Sequence, residues 1–600
     1  MRARVQVRVR VRRVSVAAAL GVALGLALGA PVLRAQNDWM YYGQDQGATK
    51  YSTLTQINVD NVKNLERAWT FHTGVKSGFF EATPLIINNV LYFSSQTTVY
   101  ALDPVTGTEI WHFAPGGSVT RRGISYWPGN ARTTPRIIAG AGSRLFALDV
   151  VTGHLVAGFG DSGFVSMGSN MASPQAIYKD LIISPSSAPL VRAWNAETGA
   201  LVWTFHLVAQ QDDPANKTWL NDAWKTTTGA NVWGLLSVDA ARGIVYIPSK
   251  LAGGDYIAVQ RPGDDLYETS LVAVAASTGK LIWYHQLVHH DIWDYDVAAA
   301  PTLLDVVQNG RRIPAVAEIT KMGLMYIFDR TDGKPIFGVE ERKVPQSTVP
   351  GEQTSPTQPF PVKPPPLARN TMTKADLSTE ISPEHTAYCE RLWTQYNLQD
   401  SGPFTPWQLT QDIVLFPGAV GGGNWQGITF NAPLGLLITN VMNAGQWGHI
   451  QQSGTGFRKV TPEGGRFWDP RTHYSCAKPP WGELVAVNAN TGDIAWHVPL
   501  GEFDELEARG LKTGTASLGG AISTAGNLVF IGATIDGRFR AFDARDGKEL
   551  WVEKIDAPAH AIPSTYMGKD GKQYVVIAAG GGGFLGSPTS DALIAFRLKQ

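Results

Sequence analysis

Short apolar runs alternate with polar turns along this chain, and one arrangement recurs: an apolar strand, a Thr-Gly or Asp-Gly turn, then a second strand carrying an aromatic residue. Ala101 to Thr106 leads through Gly107 to Trp111, and Ala147 to Thr152 leads through Gly153 to Phe159. Five more turns follow: Thr198-Gly199 before Trp203, Thr278-Gly279 before Trp283, Asp332-Gly333 before Phe337, Thr491-Gly492 before Trp496 and Asp546-Gly547 before Trp551. Such turns are hairpin chemistry, because glycine supplies the positive φ that the reversal needs.

Each copy reads as the outer half of a four-stranded blade. Inner hairpins are visible where spacing permits, at Gly234 to Asp239 with Ile244 to Ser249 and at Gly427 to Asn431 with Gly435 to Asn440. The chain ends on a strand pair, Gln573 to Ala579 and Ala592 to Leu598, with no outer strand after it. Leu65 to His72 is an outer strand with nothing before it, and joining the two ends closes a ring and removes the exposed sheet edges. The pattern therefore predicts an all-β fold: an eight-bladed β-propeller of four-stranded, W-shaped blades over residues 36–600, closed by the N- and C-terminal strands. A proline-rich segment of about 344–388 interrupts the repeat as an extended surface excursion, and Arg466 to Pro480 is a second insertion.

Composition changes the picture in two places. With 51 Lys and Arg against 51 Asp and Glu, nothing favours nucleic acid or an anionic membrane surface as partner. The amino terminus is strongly basic up to Arg13 and apolar from Val14 to about Ala30, which predicts an export signal over residues 1–35. Periplasmic or secreted placement follows, with an uncleaved N-terminal membrane anchor as the alternative. In such a compartment Cys389 and Cys476 either form one disulfide stapling a long insertion or stay as two buried thiols.

The densest chemistry lies in His289-His290-Asp291-Ile292-Trp293-Asp294-Tyr295-Asp296, between the strand-like run Leu281 to Val288 and Val297 to Pro301. In extended chain Asp294 and Asp296 project to one side, where like charges raise a pKa or draw in a cation. A solvated acidic loop has the same composition. His289 and His290 point to opposite faces in such chain and are left outside the site. Gly581 to Gly586 spells a dinucleotide fingerprint, but Pro588 and a strand follow where a helix has to start.

With the repeat and this stretch together, the sequence resembles the quinoprotein dehydrogenases that use pyrroloquinoline quinone (PQQ), nearest the branch of membrane glucose dehydrogenase and of sugar, polyol and alcohol dehydrogenases. The resemblance is carried by Val288 to Asp296, Phe328 to Gly333, Pro356 to Phe360 and Tyr574 to Gly581. It implies that Asp294 is the catalytic base, that Lys321 binds the quinone oxygens, and that Arg122 pairs a cofactor carboxylate. It further implies Glu81, Trp233 and Asn424 as cofactor contacts, with Trp233 the floor for the planar ring. On residue type alone, Trp233 is equally a blade-packing aromatic, Lys321 and Arg122 blade-edge charges, and Glu81 and Asn424 turn residues.

The chain departs from the family pattern in three places. Gly116-Gly117 stands where methanol-type enzymes carry adjacent cysteines. Pro189 and Leu251 stand near the places of the usual metal-binding carboxylate and Asn. A Ca²⁺ or lanthanide ion is then expected only weakly, on Asp294 and Asp296; an acid two residues after the base marks lanthanide-dependent relatives and also the glucose dehydrogenase branch. The expected activity is oxidation of a hydroxyl group of a small substrate, with electrons passed to a separate acceptor such as a c-type cytochrome or a quinone. The alternative is a catalytically silent propeller serving as an envelope scaffold.

Overall fold

The computed structural model describes residues 37–76 and 79–599, so the export signal read at residues 1–35 lies outside the described residues. The chain is all-β with few helices. Among the described residues, six sheets have four strands each in antiparallel order. One of them runs Leu85–Ile87, Val90–Ser94, Val99–Leu102, Glu109–Phe113; a later one pairs Thr429–Asn431, Leu436–Met442, Gly482–Asn488 and Ile494–Pro499 across a long excursion. A five-stranded sheet adds Tyr51–Ser52 in parallel to Ile522–Thr524. A three-stranded sheet, Thr302–Gln308 to Met325–Asp329, is flanked by a single bridge from Phe328 to Pro335 where an outer strand was expected to reach Phe337.

The terminal pairing read from the repeat is present: Leu65–His72 runs antiparallel to Thr589–Leu598, with Leu65 opposite Leu598 and His72 opposite Ala592. Both residue patterns of the repeat have a physical cause. In the turn, the Asp103 carboxylate accepts the Val105 and Thr106 amides while Gly107 N–H donates to Asp103 O, and Asp149 and Asn195 repeat the arrangement. The aromatic then reaches the neighbouring sheet. Trp69 Nε1 donates to Pro104 O at 3.0 Å, Trp203 to Ala276 O at 3.0 Å and Trp496 to Ala544 O at 3.1 Å. A Cβ at Gly107 would stand 2.8 Å from the Trp69 ring, so glycine is required there both for φ (+72°) and for the ring to lie flat against the turn. One copy departs: after Gly153 the outer strand is Phe164–Ser166, and Phe159 is buried in the connection before it.

The proline-rich excursion is more ordered than its composition predicts. It forms a hairpin, Val339–Lys343 with Thr357–Pro361, and continues beyond residue 388 through a helix, Pro383–Gln395. Ser382 caps that helix by accepting the His385 amide at 3.1 Å, and Pro383 occupies its first turn. The helix packs Cys389, Leu392 and Trp393 against Val414, Phe416, Trp447 and Phe467 in a separate small core. Cys389 and Cys476 form a disulfide there, joining the two insertions. No helix among the described residues is long and apolar enough to cross a membrane.

Candidate active site

The loop that follows Leu281–Gln286 is shaped by Asp291. Its buried carboxylate accepts the amides of Trp293 and Tyr295, each at 2.8 Å, which curls the chain and leaves Asp294 at φ +64°. Trp293 and Tyr295 turn away under the insertion, donating to Thr405 O and Pro417 O, while Asp294 and Asp296 turn inward. Behind the loop, Arg261 bridges Asp265 and Glu268 and donates to Asp291 O; Glu268 also accepts the Ala252 and Asp291 amides. His290 is buried here on Gly263 O and Glu352, and His289 bonds Gln286 and Glu341. Neither histidine lines the cavity that the two aspartates face.

That cavity, about 650 Å³, gathers every residue the sequence singled out: Glu81, Arg122, Trp233, Asp294, Asp296, Lys321 and Asn424. They come from segments spread over most of the chain. Lys321, just after strand Arg311–Ile319, places its ammonium 3.0 Å from Asp294 Oδ1 and 3.0 Å from Asp296 Oδ2. Asp296 Oδ2 also accepts Trp233 Nε1 at 2.8 Å, and its Oδ1 accepts the Leu251 amide at 3.2 Å. The pair is thereby split. Burial alone would raise Asp296, but Lys321 and Lys250 hold it below the usual carboxylate range. Asp294 has fewer donors, and burial pushes it up to about 7, with Lys321 opposing. Two like acids thus sit in opposed environments: the charges around Asp296 favour its anion, whereas burial favours the protonated form of Asp294.

At the other end, Arg122 lies between two indoles, 5.0 Å from the Trp233 ring and 4.6 Å from Trp425, and donates to Trp233 O and Ser173 Oγ. Burial lowers its pKa to about 9, with Glu81 opposing the shift. Glu81 Oε2 stands 3.1 Å from Arg122 Nε and 3.3 Å from Arg121 Nε, yet none of these three buried atoms is aligned in a hydrogen bond. All three belong to residues that line the cavity, so their unused hydrogen-bonding capacity is open to a polar ligand there. Asn424 spends its amide on its own loop, donating to Val420 O and accepting the Trp425 amide. It braces the wall as well as lining it.

Sequence reasoning missed several lining residues. Arg121 and Trp425 adjoin named positions, so their motifs already held them. Lys250 had no signal at all: it follows strand Ile244–Pro248, and only the fold brings its ammonium into the cavity, 3.0 Å from Asp255 Oδ1. Tyr256, Arg466 and Phe584 line the cavity as well; the last two fall in segments the sequence marked, an insertion and a glycine-rich run, without pointing to this cavity.

The residues present fit a planar quinone bearing carboxylates: arginines and lysines for the anionic groups, an indole face, and unaligned polar atoms at the arginine end. They do not fit a divalent or trivalent cation on Asp294 and Asp296. Such an ion needs about six or more hard oxygen ligands. Here Asp296 is engaged by three donors, Asp294 and Asp255 each face an ammonium, and Glu81 faces two arginines.

Comparison with known proteins agrees with this geometry. Residues 39–575 match the PQQ family described as "Glucose/ethanol/alcohol dehydrogenase, beta-propeller domain". The large subunit of glycerol dehydrogenase from Gluconobacter oxydans (strain 621H) is 30% identical over 94% of this chain and 86% of its own length. The quinoprotein glucose dehydrogenase of Escherichia coli (strain K12) is 31% identical over 94% of this chain and 79% of its own. Among solved structures, a europium-containing methanol dehydrogenase superposes with a TM-score of 0.72 at 22% identity, covering 94% of this chain and 99% of that one, a likeness of fold. Fold, cavity and relatives agree that this chain belongs to the PQQ-dependent glucose/ethanol/alcohol dehydrogenase family, oxidoreductases acting on CH–OH donors.

Proposed function

We propose that the protein oxidises a hydroxyl group of a small sugar, polyol or alcohol at this cavity and passes the electrons to a separate carrier, a c-type cytochrome or a quinone. The sheets are read as eight blades closed into a ring by the terminal strands, with the cavity at one end of the ring. The basic and apolar amino terminus supports export to the periplasm. The observation that carries the reading is the convergence, in one cavity, of an acid poised near neutrality, a lysine bridging two carboxylates, and an arginine held between indoles.

A bound quinone would supply a hydride acceptor for the substrate carbon. Trp233, Arg122, Arg121 and Lys321 would hold it. Asp294 takes the hydroxyl proton: it faces the cavity, and a base near the working pH is both ionised often enough and basic enough to be efficient. Asp296 is unsuited to that task, since its oxygens already accept from Lys321, Trp233 and Leu251. Its role is to fix the Lys321 ammonium, which the two carboxylates hold above the ordinary lysine range against burial. Lys321 then offers a permanent positive charge where negative charge develops on the cofactor. Oxygen ligands for a metal play no part in these steps. The silent-scaffold reading leaves the poised acid and the lysine bridge without a purpose.

Reconstitution of the purified protein with PQQ tests the proposal. A quinone absorption band and substrate-dependent dye reduction across a panel of sugars, polyols and alcohols are expected. A cofactor-loaded protein that reduces no dye with any member of the panel would sink the dehydrogenase assignment.

A further inference from the structure

The acidic end of the cavity carries its own cations. Lys250 is fixed by its backbone, its amide donating to Asn231 O at 2.8 Å, and the next amide, Leu251 N–H, is bonded to Asp296. Its ammonium lies 3.0 Å from Asp255 and lines the same cavity as Asp294, Asp296 and Lys321. Burial by itself would lower its pKa, but the charges of Asp296, Asp255 and Asp294 hold it above the ordinary lysine value, so it remains an ammonium. Three carboxylates thus face two ammonium groups across one cavity end. A divalent ion placed there would meet both positive charges at short range in a poorly solvated site, and it would find Asp296 already saturated.

We propose that the Lys250 ammonium is a built-in substitute for a bound metal ion, supplying with Lys321 the fixed positive charge at the carboxylate end of the cavity, so that cofactor loading needs no added metal. Cofactor loading rests on the dehydrogenase reading; the charge substitution rests on the apo-protein alone. The same arrangement is consistent with Pro189 rather than an acid at that place: a further carboxylate would deepen the excess of carboxylates over ammonium groups.

The first measurement uses metal alone. Chelator-treated protein is titrated with Tb³⁺, read by tryptophan-sensitised luminescence, and with Ca²⁺ by calorimetry. Wild type is expected to show no saturable stoichiometric site, and Lys250→Asn, which removes a charge and adds an oxygen ligand, is expected to gain one with at least tenfold tighter binding. Stoichiometric binding in wild type, unchanged by Lys250→Asn, would overturn the proposal. The second measurement titrates PQQ into chelated wild type, followed by tryptophan quenching, with and without 1 mM (~) Ca²⁺ or La³⁺. Equal affinity within about twofold is expected, and a tenfold loss on chelation restored by metal would overturn the substitution. Absence of quenching in both arms would refute the dehydrogenase reading instead, while the metal titration still decides the role of Lys250.

Discussion

Replacing Asp294 with Asn separates chemistry from folding at this site. The amide keeps the size and planarity of the carboxylate, and Asn tolerates the left-handed backbone at φ +64° about as well as Asp does. Lys321 keeps Asp296 as an ion partner at 3.0 Å, and the remaining Asn oxygen can still accept from its Nζ. The structural cost is therefore about that of one charge-assisted hydrogen bond weakened to a neutral one, roughly 1 kcal/mol. The catalytic cost is larger. A positioned general base contributes about 10²–10⁴ in rate, or roughly 3–5 kcal/mol of transition-state stabilisation. Stopped-flow dye reduction on cofactor-loaded Asp294→Asn should show kcat down by that factor, with PQQ quenching affinity within about threefold of wild type. Thermal unfolding should shift by only a few degrees. A kcat within tenfold of wild type, with cofactor bound, would refute Asp294 as the base.

Other perturbations test the frame around the site. Trp69→Ala removes a buried indole that bonds Pro104 O and lies against Gly107, so it should cost about 3–5 kcal/mol in denaturant unfolding, and an unchanged midpoint would mean the terminal strand contributes little. Changing both Cys389 and Cys476 to Ser opens a crosslink spanning 87 residues, which should destabilise the insertion core by about 2–4 kcal/mol; limited proteolysis should then cut within 377–400, and an unchanged cleavage pattern would contradict this. Alkaline pH should weaken the fold through the cluster behind Asp291. Burial alone would lower His290, but the neighbouring carboxylates of Asp265 and Glu352 push it up to about 9, and burial pushes Glu268 up to about 8 against the pull of Arg261. Both folded values exceed the unfolded ones, so the stability they confer is full below the unfolded pKa and is lost as pH rises through the folded one. The melting temperature should fall between about pH 6.5 and 9, and His290→Gln should flatten that slope; a rise over the same interval would show that the signs are misassigned.

The turn chemistry by itself determined the all-β class and most of the four-stranded sheets. Thr-Gly or Asp-Gly at each reversal and an aromatic a few residues later record a contact between neighbouring sheets, Trp69 on Gly107 and Trp203 on Gly279, so a local pattern reported a tertiary interface. The partnering of Leu65–His72 with Thr589–Leu598 was legible for the same reason: strands lacking neighbours at both ends of a chain must find one another or leave an edge exposed. Asp294, Lys321 and Arg122 were legible as short motifs, each a few contiguous residues. What tertiary structure decided is whatever depends on distance between segments with no pattern of their own. The helix Pro383–Gln395 was hidden because it follows a proline-rich stretch and takes its stability from a core shared with Trp447, Phe467 and Cys476. Lys250 was hidden because a single lysine after a strand is ordinary until folding sets it beside Asp255, Asp294 and Asp296. The unequal acidities of Asp294 and Asp296 belong to the same class. Two residues apart in sequence, they differ because three donors converge on one of them and the cavity opens on the other.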